Sequence, residues 1–473
     1  MKYPGIVISA LRGGSGKTIL AIGIAAALRQ RGLTVAPFKK GPDYIDAGWL
    51  AMAAGQPCYN LDSFIITQDS LLCSFHRHAA GRDITVVEGN RGLYDCINTG
   101  GKTSTAELAK LLGLPVLLCL DATKTTRTMA AVVDGCCRFD PQLALAGVIL
   151  NRVAGSRHES ILRASIEQYC RIPVVGAVPK LKKQAFPERH MGLVPTAEHG
   201  WAGDSVAVAA AMAERYLDLE RILTIARSAR GLNAPLPPAR VCAPPPARGP
   251  APVVGVLRDS AFQFYYPENL EALAQAGARL VATSPLNAAR PPQVDALYIG
   301  GGFPETHAEA LSRNETYRTA LQRMAQAGMP IYAECGGLMF LGERLVLEDR
   351  AYPMSGILPI SFGFSRRPQG HGYTLVTVTG PNPYFATGSQ LRGHEFHYSR
   401  GIDWHGAPED FVFTLQRGSG IVDGRDGLCR GRVLATYTHI HALGAPGWAP
   451  ALVAAARLFR QEHAGRASEN PDI

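Results

Sequence analysis

The chain has 473 residues, of which 47% are hydrophobic and 18% charged, with ten cysteines and a formal net charge of +9. At about 100 to 200 residues per domain this length predicts two to four domains, and the composition excludes collagen-like, coiled-coil and wholly disordered classes. Lysine and arginine are spread along the sequence rather than concentrated, which argues against a nucleic-acid partner. The cysteines are scattered and no CxxC occurs, so reduced thiols in a cytoplasmic protein are expected. No targeting segment is expected: the first apolar run, 6–10, is too short for a signal core. The richest apolar stretch, 111–120, is broken by Gly113 and Pro115, so no membrane span is expected either.

In chain order, the first predicted strand is 6–9, followed by Leu11-Arg12-Gly13-Gly14-Ser15-Gly16-Lys17-Thr18 and an apolar helix over 19–30. Strand, glycine loop, Lys-Thr and helix stand in the order of a phosphate cradle. Gly13, Gly14, Ser15 and Gly16 let backbone amides curl around phosphate oxygens, Lys17 supplies a point charge, and the Thr18 hydroxyl suits Mg²⁺. Leu11 stands where the first glycine of the strict pattern would be. Carboxylates to orient the metal are offered by Lys39-Lys40-Gly41-Pro42-Asp43-Tyr44-Ile45-Asp46 and by the strand 84–88, which ends in Glu88. The plainer reading of Asp43 and Asp46 is turn chemistry beside Pro42. Strands at 116–121, 147–151 and 174–178, with a helix near 159–169, complete an alternating α/β pattern that predicts a doubly wound parallel sheet.

Eight prolines between Pro235 and Pro252 predict a semi-rigid linker, which divides the chain into 1–232, a linker at 233–252, a second domain at 253–463 and a tail at 464–473. The second domain restarts the α/β pattern with strands at 253–257, 296–300 and 331–333 and helices near 267–276 and 314–327. A turn-rich stretch over 352–416 with period-2 runs predicts an antiparallel excursion. Within this half, Ala333-Glu334-Cys335-Gly336-Gly337 reads as a strand entering a tight turn and a helix, the elbow that presents a nucleophile with sulfur in place of oxygen. Gly300-Gly301-Gly302 could aim amides at an oxyanion, and His439, in a predicted strand over 434–441, is the best-placed base among the histidines. Taken alone, Cys335 would more simply be a buried structural thiol. No His/Cys cluster has zinc spacing.

These residues closely resemble the cobyrinic acid a,c-diamide synthase family of glutamine-dependent tetrapyrrole amidases. The likeness runs through SALRGGSGKT, PFKKGPDYIDAGW, NLDSF, VEGNRGLYD, GVILNRV, FPERHMGLV, AFQFYYPENLEAL, YIGGGFPE, YAECGGLMFLG, RGHEFHYS and ATYTHIHAL. It implies an N-terminal P-loop amidoligase domain similar to dethiobiotin synthetase and a C-terminal class I glutaminase domain that lacks a full triad. It also implies Cys335 as nucleophile and His439 as its base, Asp43, Glu88 and Asp95 as acids of the synthetase site, Thr18, Asp43 and Glu88 about Mg²⁺, and Asn151 near the adenine of ATP. Where full glutaminase triads carry His-x-Glu this chain has His439-Ile440-His441. Asn90-Arg91 follows the Glu-Gly pair where cobalamin-pathway members often carry Val-Met, and is similar to relatives that amidate sirohaem or sirohydrochlorin.

The reaction implied is amidation of acetate side chains of a cobyrinate- or sirohaem-type macrocycle, with ATP, Mg²⁺ and glutamine. A polycarboxylate tetrapyrrole would be drawn by Lys39, Lys40, Arg91 and Lys102, together with Arg189 and His190. A homodimer is an open alternative to a monomer. The rival class is a partitioning or positioning ATPase, whose deviant phosphate loop Arg12 to Thr18 resembles; those proteins carry lysine where Arg12 stands and have no glutaminase half. Cobyric acid synthase is the rival within the family, though its glutaminase histidine is typically followed by glycine.

Overall fold

The computed structural model describes residues 2–180, 188–189, 192–198, 200–232 and 250–469. It divides into two compact units, Met1–Pro238 and Ala239–Ile473. Most of the proline-rich segment, 233–249, and His190 lie outside the described residues.

The first unit is built on seven parallel strands, β1 (Gly5–Ala10), β2 (Val35–Lys40), β3 (Tyr59–Leu61), β4 (Ile84–Glu88), β5 (Val116–Asp121), β6 (Leu145–Val153) and β7 (Val174–Pro179), in the order β3-β2-β4-β1-β5-β6-β7. A sheet buried on both faces needs apolar residues at consecutive positions, and β1 and β4 are buried throughout. The chain crosses from β1 over helix Lys17–Gln30 to β2 on one side, and later to β5 on the other. The reversal of strand order therefore falls at β1, and the crevice outside its carboxyl end lies between those of β4 and β5. The strand β2 escaped the sequence reading because Pro37 argues against an interior strand. It is accommodated because β3 runs alongside only from Phe38 onward. A two-residue ladder joins β8 (Glu188–Arg189) to β9 (Gly192–Leu193).

The second unit carries a ten-stranded mixed sheet. Its parallel part comprises β10 (Val253–Leu257), β11 (Arg279–Thr283), β12 (Ala296–Ile299), β13 (Ile331–Glu334) and, beside β13, β22 (Val433–Thr436). A small four-stranded sheet takes β14 (Arg344–Leu347), β15 (Arg350–Pro353), β16 (Ile360–Phe364) and β19 (Ser399–Trp404). The main sheet continues through β17 (Gly370–Val378), β18 (Gln390–His397), β20 (Phe411–Arg417), β21 (Arg425–Arg430), β22 (Val433–Thr436) and β23 (His439–Ile440), in the order β11-β10-β12-β13-β22-β21-β20-β17-β18-β23. The period-2 run at 375–378 is indeed antiparallel, paired with β18 and β20. Two cores flank this sheet: Leu297, Ile299 and Ile331 point into one, Tyr298 and Tyr332 into the other beside Trp448. The helix Trp448–Glu469 extends into the expected tail segment.

Candidate active sites

In the first unit the phosphate loop leaves β1 and enters helix Lys17–Gln30 through Gly16, whose φ of 92° favours glycine. A Cβ on Gly16 would collide with Asn151 Nδ2. That amide donates to Ser15 O at 2.9 Å and the Asn151 carbonyl accepts from Arg152 N–H at 2.9 Å, so Asn151, expected near the adenine, is seen bracing the loop from β6. Ser15 Oγ turns back to Arg12 O at 3.0 Å. Gly14 also has a positive φ, 74°, and Gly13 has open space beside its Cα.

Glu88 closes β4 with no exposure. An unpaired buried carboxylate costs several kcal/mol, more than the ~1.5 to 3 kcal/mol gained by burying one valine, so the acid must be compensated. Its Oε1 accepts from the Thr18 hydroxyl at 2.6 Å and lies 3.0 Å from Lys39 Nζ and 3.9 Å from Lys17 Nζ. Burial pushes the Glu88 carboxyl up despite these cations, and its Oε2 is buried without a hydrogen-bond partner.

Two expectations change here. Lys39 does not face outward toward a substrate: it is 1% exposed and pairs with Asp46 Oδ2 at 2.6 Å. Burial alone would lower it, but Asp46, Glu88 and Asp43 together hold its ammonium charged. Lys40 is also buried, and burial lowers it. Second, Asp46 and not only Asp43 belongs to the cluster. Asp46 Oδ2 lies 3.4 Å from Thr18 Oγ1, while Asp43 Oδ1 accepts the Asp46 N–H at 2.8 Å. Asp46 is held below the usual carboxylate range because Lys39 outweighs the burial that opposes it, whereas burial and the neighbouring Asp46 push Asp43 up to about 6. The i, i+3 spacing at the start of helix Ile45–Ala54 carried this information, since it sets one acid to cap the turn and the other to face inward. Asn60, in the NLDSF segment, clamps this loop through Gly41 O and Asp43 O at 2.8 and 3.0 Å.

Asp95 is exposed and accepts from Gly92 N–H at 2.8 Å, closing its own turn, which the Leu93 N–H ties to Ala10 O beside the phosphate loop at 2.7 Å. No contact between Asp95 and Glu88, Asp46 or Thr18 is seen. Arg91 is exposed with φ 51°, and Lys102 is exposed before helix Thr105–Leu112. Among the described residues no three His, Cys, Asp or Glu side chains converge as a metal centre. A hydroxyl, a carboxylate with a spare buried oxygen and a nearby second carboxylate suit Mg²⁺, which keeps waters and binds substrate phosphates.

In the second unit three neighbouring strands deliver three groups to one place. β12 runs into Gly300-Gly301-Gly302, β13 into Cys335, and β22 through Tyr437-Thr438 into His439. Cys335 sits at φ 47°, in the sharp turn between β13 and helix Gly336–Leu341. Gly336 and Gly337 are required by close approach: a Cβ on the first would stand 2.9 Å from Gly302 N, and on the second 2.7 Å from Ile299 O. A Cβ on Gly301 would stand 2.5 Å from His439 Cε1 and 3.3 Å from its Nε2. The 301–302 turn thus touches the histidine on one side and the elbow on the other. Burial pushes the Cys335 thiol up and Glu305 adds to it, so a base is needed to ionise it.

Sequence reasoning passed over Glu334 and His394 here. Glu334 Oε2 lies 3.3 Å from His439 Nδ1. His394, from the RGHEFHYS segment, is the register partner of His439 and stacks on it at 4.9 Å.

Residues 6–194 match the CobQ/CobB/MinD/ParA nucleotide binding domain, and residues 253–446 the CobB/CobQ-like glutamine amidotransferase domain. The first model spans partitioning ATPases as well as amidases, so whole-chain relatives decide between them. The chain is 44% identical over 97% of its length to the cobyrinate a,c-diamide synthase of Magnetococcus marinus, covering 98% of that protein. It is 42% identical to that of Dehalococcoides mccartyi, over 93% of this chain and 96% of the relative. With that of Archaeoglobus fulgidus it shares 39% identity, over 94% and 95%. With a nucleotide-binding half and an amidotransferase half both matched, the chain belongs to the cobyrinate a,c-diamide synthase family, and it is a glutamine-dependent amidating ligase.

Proposed function

We propose that the chain amidates acetate carboxylates of a cobyrinate- or sirohaem-type tetrapyrrole through an acyl phosphate, using ammonia that its second unit releases from glutamine. The observation that carries the reading is the pairing, in one chain, of a phosphate loop converging on Glu88 with a cysteine elbow packed against the 301–302 turn that touches His439. A carboxylate does not react with ammonia until one oxygen becomes a leaving group. The acetate takes the terminal phosphoryl group of ATP, with the loop amides and Lys17 stabilising charge on the transferred group. Thr18, Glu88 and Asp46 would hold Mg²⁺, which when bound neutralises phosphate charge. Lys39 pairs with both Glu88 and Asp46 and fixes them in place. Ammonia then displaces phosphate. Domain roles follow as 1–232 for the synthetase and 253–463 for the glutaminase.

The named relatives favour cobyrinate as the macrocycle. Asn90-Arg91 favours the second reading, sirohaem or sirohydrochlorin: Arg91 is an exposed guanidinium in a loop beside the phosphate site, suited to a peripheral carboxylate in a way that methionine is not. Mass spectrometry of products from cobyrinic acid, sirohaem and sirohydrochlorin, each with ATP and glutamine, tests both. Each amidation lowers the mass by about one unit, so the products also count the acetates that react. Amidation of none of the three would refute the proposal.

A further inference from the structure

His-x-Glu glutaminases take their acid two residues after the histidine, a place held here by His441. His441 is turned elsewhere. Its Nδ1 accepts from Leu443 N–H at 3.2 Å, which leaves its proton on Nε2, 3.5 Å from Glu268 Oε2 in helix Pro267–Gln275. Its ring packs on Tyr266 at 4.6 Å. His441 and Glu268 are both buried and lie side by side, away from His439's Nδ1. The carboxylate that meets His439 comes from the opposite direction, from the residue immediately before the elbow.

We infer that Glu334 is the positioning acid of the glutaminase site, completing a Cys335–His439–Glu334 triad in which the acid precedes the nucleophile in the chain. The inference rests on the glutaminase reading of Cys335 given above. Glu334 is fully buried at the end of β13, and its Oε2 faces His439 Nδ1 at 3.3 Å. The carboxylate is held on its other sides: Oε1 accepts from Ile440 N–H at 3.1 Å and from the Tyr332 hydroxyl at 3.2 Å, and Oε2 from the Tyr298 hydroxyl at 3.4 Å. Those tyrosines are anchored by Trp448, whose ring lies 5.0 and 5.2 Å from theirs. A carboxylate so fixed cannot swing away, and it dictates the histidine tautomer.

With the proton of His439 on Nδ1 and donated to Glu334, Nε2 keeps a lone pair beside Gly301. The Cys335 S–H proton passes to Nε2 as sulfur bonds to the glutamine carboxamide carbon, and Glu334 stabilises the imidazolium. The C–N bond then breaks as Nε2 returns that proton to the departing nitrogen, which leaves as ammonia. Water hydrolyses the thioester to glutamate and free thiol by the same proton route. Among the ionisable groups about His439 are Glu334 from β13 and His394 from β18, and Glu305 and Glu395 act with Glu334 on the neighbouring Cys335. Burial, then His439 and His441, holds His394 well below the usual histidine range, so it stays neutral and Glu334 is the charge that sets the base.

The test uses the full chain with glutamine and with ammonium as nitrogen donor. Glu334→Gln should lower glutamine-dependent turnover by about 10²-fold with little change in the glutamine KM, while ammonium-dependent amidation persists. Glu334→Asp should recover part of the loss, and Glu268→Gln should stay within about twofold of the parent. Glutamine turnover in Glu334→Gln within twofold of the parent would overturn the inference, as would a loss confined to Glu268→Gln. Should Glu334→Gln lose both activities by misfolding, proton NMR of the parent decides: a downfield Nδ1–H resonance lost in His439→Gln and kept in Glu268→Gln supports the triad, and its absence overturns it. Persistent glutamine use by Cys335→Ala would instead fail the underlying glutaminase reading.

Discussion

Glu88 shows what a single residue can declare in a sequence. An acid ending the apolar run Ile84 to Val87 has to be compensated, and the structure supplies Lys39, Lys17 and the Thr18 hydroxyl. What the sequence did not reveal was direction. Lys39 is one of two adjacent lysines ending β2, and nothing local says that its ammonium points into a buried acid cluster, since that depends on Asp46 arriving from the next helix. The same holds for Glu334, whose partner His439 lies over a hundred residues away. Lys17→Ala should cut amidation by about 10²-fold or more with either nitrogen donor, because the developing phosphoryl charge loses its closest cation, while glutamine hydrolysis continues. Full ammonium-dependent activity in that variant would remove Lys17 from the site. Arg91→Met separates recognition from scaffolding. If the guanidinium binds a peripheral carboxylate, a lost charged hydrogen bond of ~1.5 to 3 kcal/mol should raise the macrocycle KM roughly tenfold or more while the ATP KM holds. A parallel rise in both constants would make it a brace for the 91–95 turn.

At the level of elements, the strands at 84–88, 116–121 and 253–257 were legible to the residue because continuous apolar runs bounded by turn signals have few other readings. The late strand was not. A single strand over 434–441 is expected from pattern, yet β22 stops at Thr436 and β23 resumes at His439. The cause is Asp426, fully buried, which accepts from the Thr436 hydroxyl at 2.6 Å and from the Tyr437 and Thr438 N–H groups at 2.9 and 3.0 Å. It draws off the donors that would continue the ladder and turns the chain so that His439 comes to the elbow. Asp426→Ala should therefore destabilise the fold by ~3 kcal/mol and depress glutamine use more than ammonium use. Unchanged thermal stability would contradict this. The phosphate loop makes the parallel case: Gly16→Ala forces a strained φ and a collision with Asn151, so a loss of about 1 to 3 kcal/mol and a raised ATP KM are expected, both read from melting curves and initial rates.

At the scale of the whole molecule, two α/β units each bring a candidate site to the carboxyl ends of parallel strands, and the alternation of apolar runs made the α/β class of both legible in the sequence. No helix among the described residues is long and apolar enough to cross a membrane. The basic balance of the chain is met in part by internal pairing, as the buried Lys39 shows, so charge counts overstate the cations available to a polycarboxylate. The central claim is that the two units perform separable steps of one amidation. It is tested most directly by assaying Cys335→Ala for product with glutamine and, in parallel, with ammonium salts. Glutamine-dependent product should be lost with ammonium-dependent synthesis retained near the parent level; equal loss with both nitrogen donors in a folded variant would rule out separable steps.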